Sequence, residues 1–128
     1  MSLSSYFENH RGIGVLSTAD ARGQVDAAIY SRPHIMDDGT VAVIMRDRLS
    51  HANLQSNPHA AFMFIEDGPG YKGKRLFLTK LREEKETDLL YQLKRKERSP
   101  EEDAERGEKF LVFFQIDKEL PLIGAGED

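Results

Sequence analysis

The chain has 128 residues, a formal net charge of −4, and charges of both signs mixed along its length. That length fits one domain over residues 1–128, able to bury roughly two-thirds of its unfolded surface around a core. No basic stripe points to nucleic acid, no apolar run reaches membrane-spanning length, and the absence of cysteine excludes disulfide frameworks, thiolate metal sites and cysteine nucleophiles.

The elements read as short strands with helical excursions. Residues 4–10 suit a short leading helix, with Tyr6 and Phe7 available to pack. Residues 12–18 form a strand with Ile13 and Val15 on one face and Leu16 on the other. A turn follows at Asp20-Ala21-Arg22-Gly23, where glycine accepts positive φ. Residues 24–36 make a second strand in which Pro33 marks an edge, a bulge or a break. Asp37-Asp38-Gly39 is a hairpin signal leading into a third strand at 40–45. A short helix at 50–56 ends at Asn57-Pro58, because a residue before proline avoids the helical region. Residues 59–65 and 74–81 are the fourth and fifth strands, joined by a glycine-rich loop. Residues 83–98 carry Leu89, Leu90 and Leu93 among charges and read as an amphipathic helix. Ser99-Pro100 opens another short helix, residues 110–116 form the sixth strand, and 120–123 add a tail.

Six short strands with hairpin turns favour a closed or partly closed antiparallel barrel. Phe62 and Phe64 alternate with Met63 and Ile65, and Phe110, Val112 and Phe114 with Leu111 and Phe113, so both faces of these strands are apolar. A helix with three leucines is too little to cover the outer face, which predicts a homodimer with a large apolar interface. Residues 1–11 lack the apolar core of a signal peptide, so a soluble, cytoplasmic protein is expected. His10, His34, His51 and His59 stand apart without ligand spacing, and no metal site is expected.

The stretch from Met45 to Pro58 carries the most chemistry. It sets Arg46, Arg48, Ser50, His51 and Asn53 around a helix start. Helix N-termini present unpaired N–H groups and partial positive charge, and arginine adds paired donors that match phosphate oxygens. The competing reading is a solvated turn capped by Ser50.

The order of elements resembles the pyridoxamine 5′-phosphate oxidase-like family of FMN-binding split barrels. The resemblance rests on Gly14-Val15-Leu16-Ser17-Thr18-Ala19-Asp20 with Gly23, and on Asp26-Ala27-Ala28-Ile29-Tyr30-Ser31. It rests further on Arg48-Leu49-Ser50-His51-Ala52-Asn53-Leu54 with Asn57-Pro58-His59-Ala60-Ala61, and on Gly73-Lys74-Arg75-Leu76. It covers residues 6–116. It implies a mainly β chain, a six-stranded antiparallel split β-barrel of Greek-key type with peripheral helices. It also implies an FMN at the interface of a homodimer. The ring would lie beside the second strand near Tyr30, Ser31 and Arg32. The ribityl chain and phosphate would meet Met45, Arg46, Asp47, Arg48, Leu49 and Ser50, with His51 and Asn53 nearby.

One departure matters. Many family members carry a lysine where Ser50 stands, so the positive charge must come from Arg46, Arg48 or another chain. The fuller arginine and histidine set with which true oxidases bind pyridoxamine phosphate is also missing. In the loop Gly68-Pro69-Gly70-Tyr71-Lys72-Gly73-Lys74, three glycines and two lysines lack P-loop spacing. It is either a long hairpin, or a site from which Tyr71 and Lys72 reach across a dimer to the flavin or its substrate. No acid–base pair or nucleophile stands out, so no catalytic residue is assigned. The implied activity is a small-molecule oxidoreductase. The alternatives are a non-catalytic electron carrier or redox sensor, and a haem- or deazaflavin-binding barrel with His34, His51 or His59 as axial candidates.

Overall fold

The structure is a computed structural model that describes residues 2–85, 87–93 and 109–124. Three helices accompany seven strands among these residues. Helix α1 (Leu3–Asn9) is capped by Ser2, whose hydroxyl accepts from the Ser5 N–H at 3.1 Å. Strand β1 (Gly12–Ala19) turns through Asp20–Gly23 into β2 (Val25–Tyr30). There the Asp20 carboxylate accepts from the N–H groups of Arg22 and Gln24, and Gly23 takes φ 83°.

The second predicted strand proves to be two. Pro33, with no N–H to give and a fixed φ, separates β2 from the two-residue β3 (His34–Ile35). This break accounts for seven strands where six were expected. Gly39, at φ 86°, turns the chain into β4 (Val41–Arg46). Helix α2 (Leu49–Ser56) and strands β5 (His59–Glu66) and β6 (Gly73–Lys85) follow. The helix expected from residue 83 starts later, as α3 (Asp88–Leu93), because Glu83–Lys85 continue β6 and pair with β7 (Lys109–Pro121). That last strand also absorbs the first part of the expected tail. The helix expected at Ser99–Glu102 lies outside the described residues.

The strands form one antiparallel sheet in the order β2-β1-β5-β6-β7-β4-β3. The links β2–β3 and β4–β5 jump between non-neighbouring strands, which gives the sheet its Greek-key character. Although β1, β5, β6 and β7 separate β2 from β4 in the ladder, both strands line one cleft. The sheet therefore curls until its ends face each other, leaving a split.

Strict alternation fills the interior. Val41, Val43 and Met45 of β4 meet Phe62 and Phe64 of β5, Leu76 and Leu78 of β6, and Phe110, Val112 and Phe114 of β7, with Tyr6 and Phe7 of α1 closing one end. The outward residues Ala42, Leu111 and Phe113 form a second cluster with Leu90, joined by Leu89 and Leu93. The three leucines thus cover the β4–β7 part of the outer face, more than their number had suggested. They leave bare the part made by β1, β2 and β5, where Ile13 is 50 % exposed, Val25 83 % and Ile29 79 %.

Candidate functional site

The split holds a cleft of about 390 Å³, within the size range of small-molecule sites. One wall is β2, through Asp26, Ala28, Ile29 and Tyr30. The other is the end of β4 and the start of α2, through Ile44, Met45, Arg46, Arg48, Leu49 and Ser50. Two strands far apart in the ladder therefore bring an aromatic and an acid against two arginines and a hydroxyl.

Local sequence explains the geometry. Arg48, at the N-cap of α2, has extended backbone (φ −129°, ψ −164°) and makes no side-chain capping bond. Its side chain is committed to the cleft lining instead. Ser50 lies inside the first turn rather than at the cap, is 3 % exposed, and lines the cleft with the Tyr30 phenol. Burial pushes the Tyr30 hydroxyl up from its ordinary value. Ser50 opposes this, Asp26 adds to it and Arg48 opposes it, with a net upward shift. Tyr30 is therefore a neutral phenol at physiological pH, able both to donate and to accept. Gly14, directly opposite Tyr30 in the β1–β2 register, lets this wall sit close. A Cβ there would lie 2.6 Å from Phe62 Cζ and 2.7 Å from the Tyr30 carbonyl oxygen.

Of the residues singled out in the sequence, Tyr30, Met45, Arg46, Arg48, Leu49 and Ser50 converge on this cleft. The others lie outside its lining. Arg32 donates from Nη1 to the carbonyls of Phe7 and His10 at 2.8 and 2.9 Å, tying α1 to the β2–β3 link, in which Ser31 is exposed. Asn53, one turn further along α2 from Leu49 and Ser50, is buried and donates to Thr18 Oγ1 at 3.0 Å. Tyr71 and Lys72 occupy the exposed β5–β6 loop. Asp47 and His51 belong to a separate polar cluster behind the helix start. There His51 Nδ1 lies 3.0 Å from Asp47 Oδ1 and Nε2 2.8 Å from Glu83 Oε2. Asp26, Ala28, Ile29 and Ile44 escaped the sequence reading, although the alternation of β2 carries the signal for the first two.

A larger hollow of about 510 Å³, lined by Glu8, His34, Ile35, Met36, Asp37, Asp38 and Leu93, has no arginine or lysine among its described lining residues. It is unsuited to an anion. The described residues hold no cluster of His, Cys, Asp or Glu able to hold a metal ion. None of their helices is long and apolar enough to cross a membrane.

No family model and no curated protein matches the chain. Solved structures do. An FMN-binding protein from Syntrophomonas wolfei subsp. wolfei aligns at a TM-score of 0.74 with 21 % identity, over 94 % of this chain and 84 % of that one. A Lactobacillus delbrueckii protein proposed to be a pyridoxamine 5′-phosphate oxidase aligns at 0.64 with 17 % identity, over 94 % and 93 %. HutZ, the haem storage protein from Vibrio cholerae, aligns at 0.65 with 19 % identity, over 96 % and 95 %. The chain has the split-barrel fold found in flavin-binding and pyridoxamine 5′-phosphate oxidase-like proteins. That fold also serves a haem storage protein, so the ligand has to be argued from the cleft.

Proposed function

We propose that the cleft between β2 and the start of α2 binds FMN and that the protein is a flavin-dependent oxidoreductase acting on a small molecule. The observation that carries this reading is the convergence of Arg46, Arg48 and Ser50 at the first turn of an eight-residue helix, opposite Tyr30. The helix N–H groups, the two guanidinium groups and the buried hydroxyl are a donor set for a phosphate. The second arginine supplies the charge that a lysine at position 50 would bring. Tyr30 and the outer edge of β2 offer a flat, part-apolar wall for the ring. FMN, when bound, supplies hydride and electron chemistry itself, and the protein orients it and tunes its surroundings.

Haem fits this cleft less well. Among the described residues no histidine lines it: His34 lines the acidic hollow, His51 is held between two carboxylates, and His59 is exposed on β5. A non-catalytic flavin carrier shares every feature of the site and differs only in turnover.

A second copy of the chain would complete the site. Ile29 both lines the cleft and belongs to the bare outer face with Ile13 and Val25, so a partner seated on that face would wall the open side of the cleft. The experiment is a visible spectrum and a fluorescence titration of the purified protein with FMN. The expected result is saturable, stoichiometric binding that Arg48→Ala or Ser50→Ala weakens roughly tenfold or more, as loss of a charge-assisted or buried hydrogen bond requires. Lys118→Ala, on the exposed part of β7, leaves affinity unchanged. Equal affinity in all variants removes the proposed phosphate site, and a haem band in the isolated protein replaces the flavin reading.

A further inference from the structure

The helix that opens the cleft is tied to the sheet by a buried polar pair that takes no part in the cleft lining. Alternation along β1 turns Gly14, Leu16 and Thr18 inward, so Thr18 places a hydroxyl where the pattern calls for an apolar side chain. Its Oγ1 accepts from Asn53 Nδ2 of α2 at 3.0 Å, and both residues are buried. A second amide reaches the same end of β1. Asn57, the C-cap of α2, donates from Nδ2 to the Asp20 carbonyl at 3.3 Å.

Apolar packing alone leaves α2 underdetermined. Among the described residues, Leu54 is the one α2 side chain in the apolar interior. Hydrophobic contact is non-directional, so a single leucine lets a short helix turn or slide at little cost. A hydrogen bond has direction, and a buried donor that loses its acceptor is costly. His51 and Gln55 stand on the other flank of α2, two residues either side of Asn53, and meet Glu83 of β6 at 2.8 and 3.0 Å. Without the bond to Thr18, α2 keeps that attachment and can swing on it. Ser50 precedes Asn53 by three residues, about 4.5 Å along the axis, so a swing there moves the cleft end of the helix.

We infer that Asn53 and Thr18 are positioning residues for phosphate: their bond sets the rotation and depth of α2, and so places Arg48, Ser50 and the first-turn N–H groups in the cleft. The inference rests on the cofactor reading above. It concerns the phosphate end of the flavin alone, because β2, the other wall, is held to β1 by its own ladder.

The test measures dissociation constants of FMN and of riboflavin, which lacks only the phosphate, by flavin fluorescence. Three proteins are compared: the native chain, Thr18→Val and Thr18→Ser. Valine keeps the shape of threonine and removes the acceptor, whereas serine keeps the hydroxyl. Thr18→Val is expected to weaken FMN roughly fivefold or more, the scale of one hydrogen bond put out of line, and to leave riboflavin within about twofold. Thr18→Ser is expected to hold both ligands within about twofold of native, because the bond survives. Thr18→Val combined with Asn53→Ala is expected to lose no more FMN affinity than the weaker of the two single variants, since one bond is broken in all three. Should Thr18→Val fail to fold, Asn53→Gln decides. It keeps an amide but displaces it by one methylene, and the same selective loss of FMN is expected. An equal loss of FMN and riboflavin, as general loosening would give, or an unchanged FMN affinity, overturns this inference alone. Native binding of FMN no tighter than that of riboflavin, or no FMN binding at all, overturns the cofactor reading and this inference with it.

Discussion

Glu83 shows how the interior of this protein spends its charges. Burial raises the Glu83 carboxyl, but hydrogen bonds from Lys80, Gln55 and His51 outweigh it and bring the group down to about 2. Its ordinary value is 4.5, so the unfolded chain takes up this proton more readily than the folded one. The stabilisation is complete above about pH 4.5 and is lost as pH falls toward 2. Glu83→Gln is therefore expected to cost about 1–3 kcal/mol in urea unfolding at pH 7, with the deficit shrinking as pH falls below about 4. A deficit of constant size across that range would mean that the side chain acts through packing. Legibility at this scale followed rotation about the helix axis. Arg48 and Ser50, singled out from residue type as candidates for an anion site, do line the cleft. His51 and Asn53 share the same segment, yet the helical period of about 100° per residue turns His51 toward β6 and β7, and Asn53, back on the face of Leu49 one turn further along, meets Thr18 instead of the cleft. Asp26 was passed over because a strand-end carboxylate acquires a site only once the far end of the sheet curls round to meet it.

Single strands and helices were readable where a local rule was strong. The hairpin at Gly39, the turn at Gly23 and the stop at Asn57-Pro58 all fall where glycine or proline dictates. The break at Pro33 was marked, with its outcome left open between edge, bulge and division. Residues 83–85 were misread because glutamate and lysine favour helix locally, whereas β7 pairs with β6 at eleven positions, and the ladder wins. The β1–β2 pair also shows how tightly the cleft wall is set. Gly14→Val places carbon atoms where Phe62 and the Tyr30 carbonyl already sit. It is expected to lower stability by about 1–3 kcal/mol, the cost of overpacking a close contact, and to loosen FMN by moving Tyr30. Thermal unfolding and the same flavin titration check both, and a stable variant with native affinity would show that β2 can retreat freely.

For the whole molecule, the sequence pattern of two-faced apolar strands pointed to more apolar surface than one chain can bury. Part of that surface is met within the chain by Leu89, Leu90 and Leu93. The remainder, at Ile13, Val25 and Ile29, is the face proposed to meet a second copy. Because Ile29 is 79 % exposed in the single chain, Ile29→Glu should leave the fold intact. It is expected to convert a dimer to monomer in light scattering and to weaken FMN retention together. A dimer that persists with full FMN binding would move the interface elsewhere.

The curled sheet has a mechanical consequence. Its ladder runs without interruption from β2 to β3, and the cleft is the gap where the two ends approach, like the opening of a split ring. Each strand is rotated against its neighbour, and those rotations accumulate along the ladder. Small changes of coiling anywhere in the ring therefore sum at the mouth, including at the irregularities between Phe77 and Leu78 and between Lys80 and Arg82. A ligand bridging β2 and α2 closes the ring across its gap and resists those motions together, so it stiffens strands it never touches.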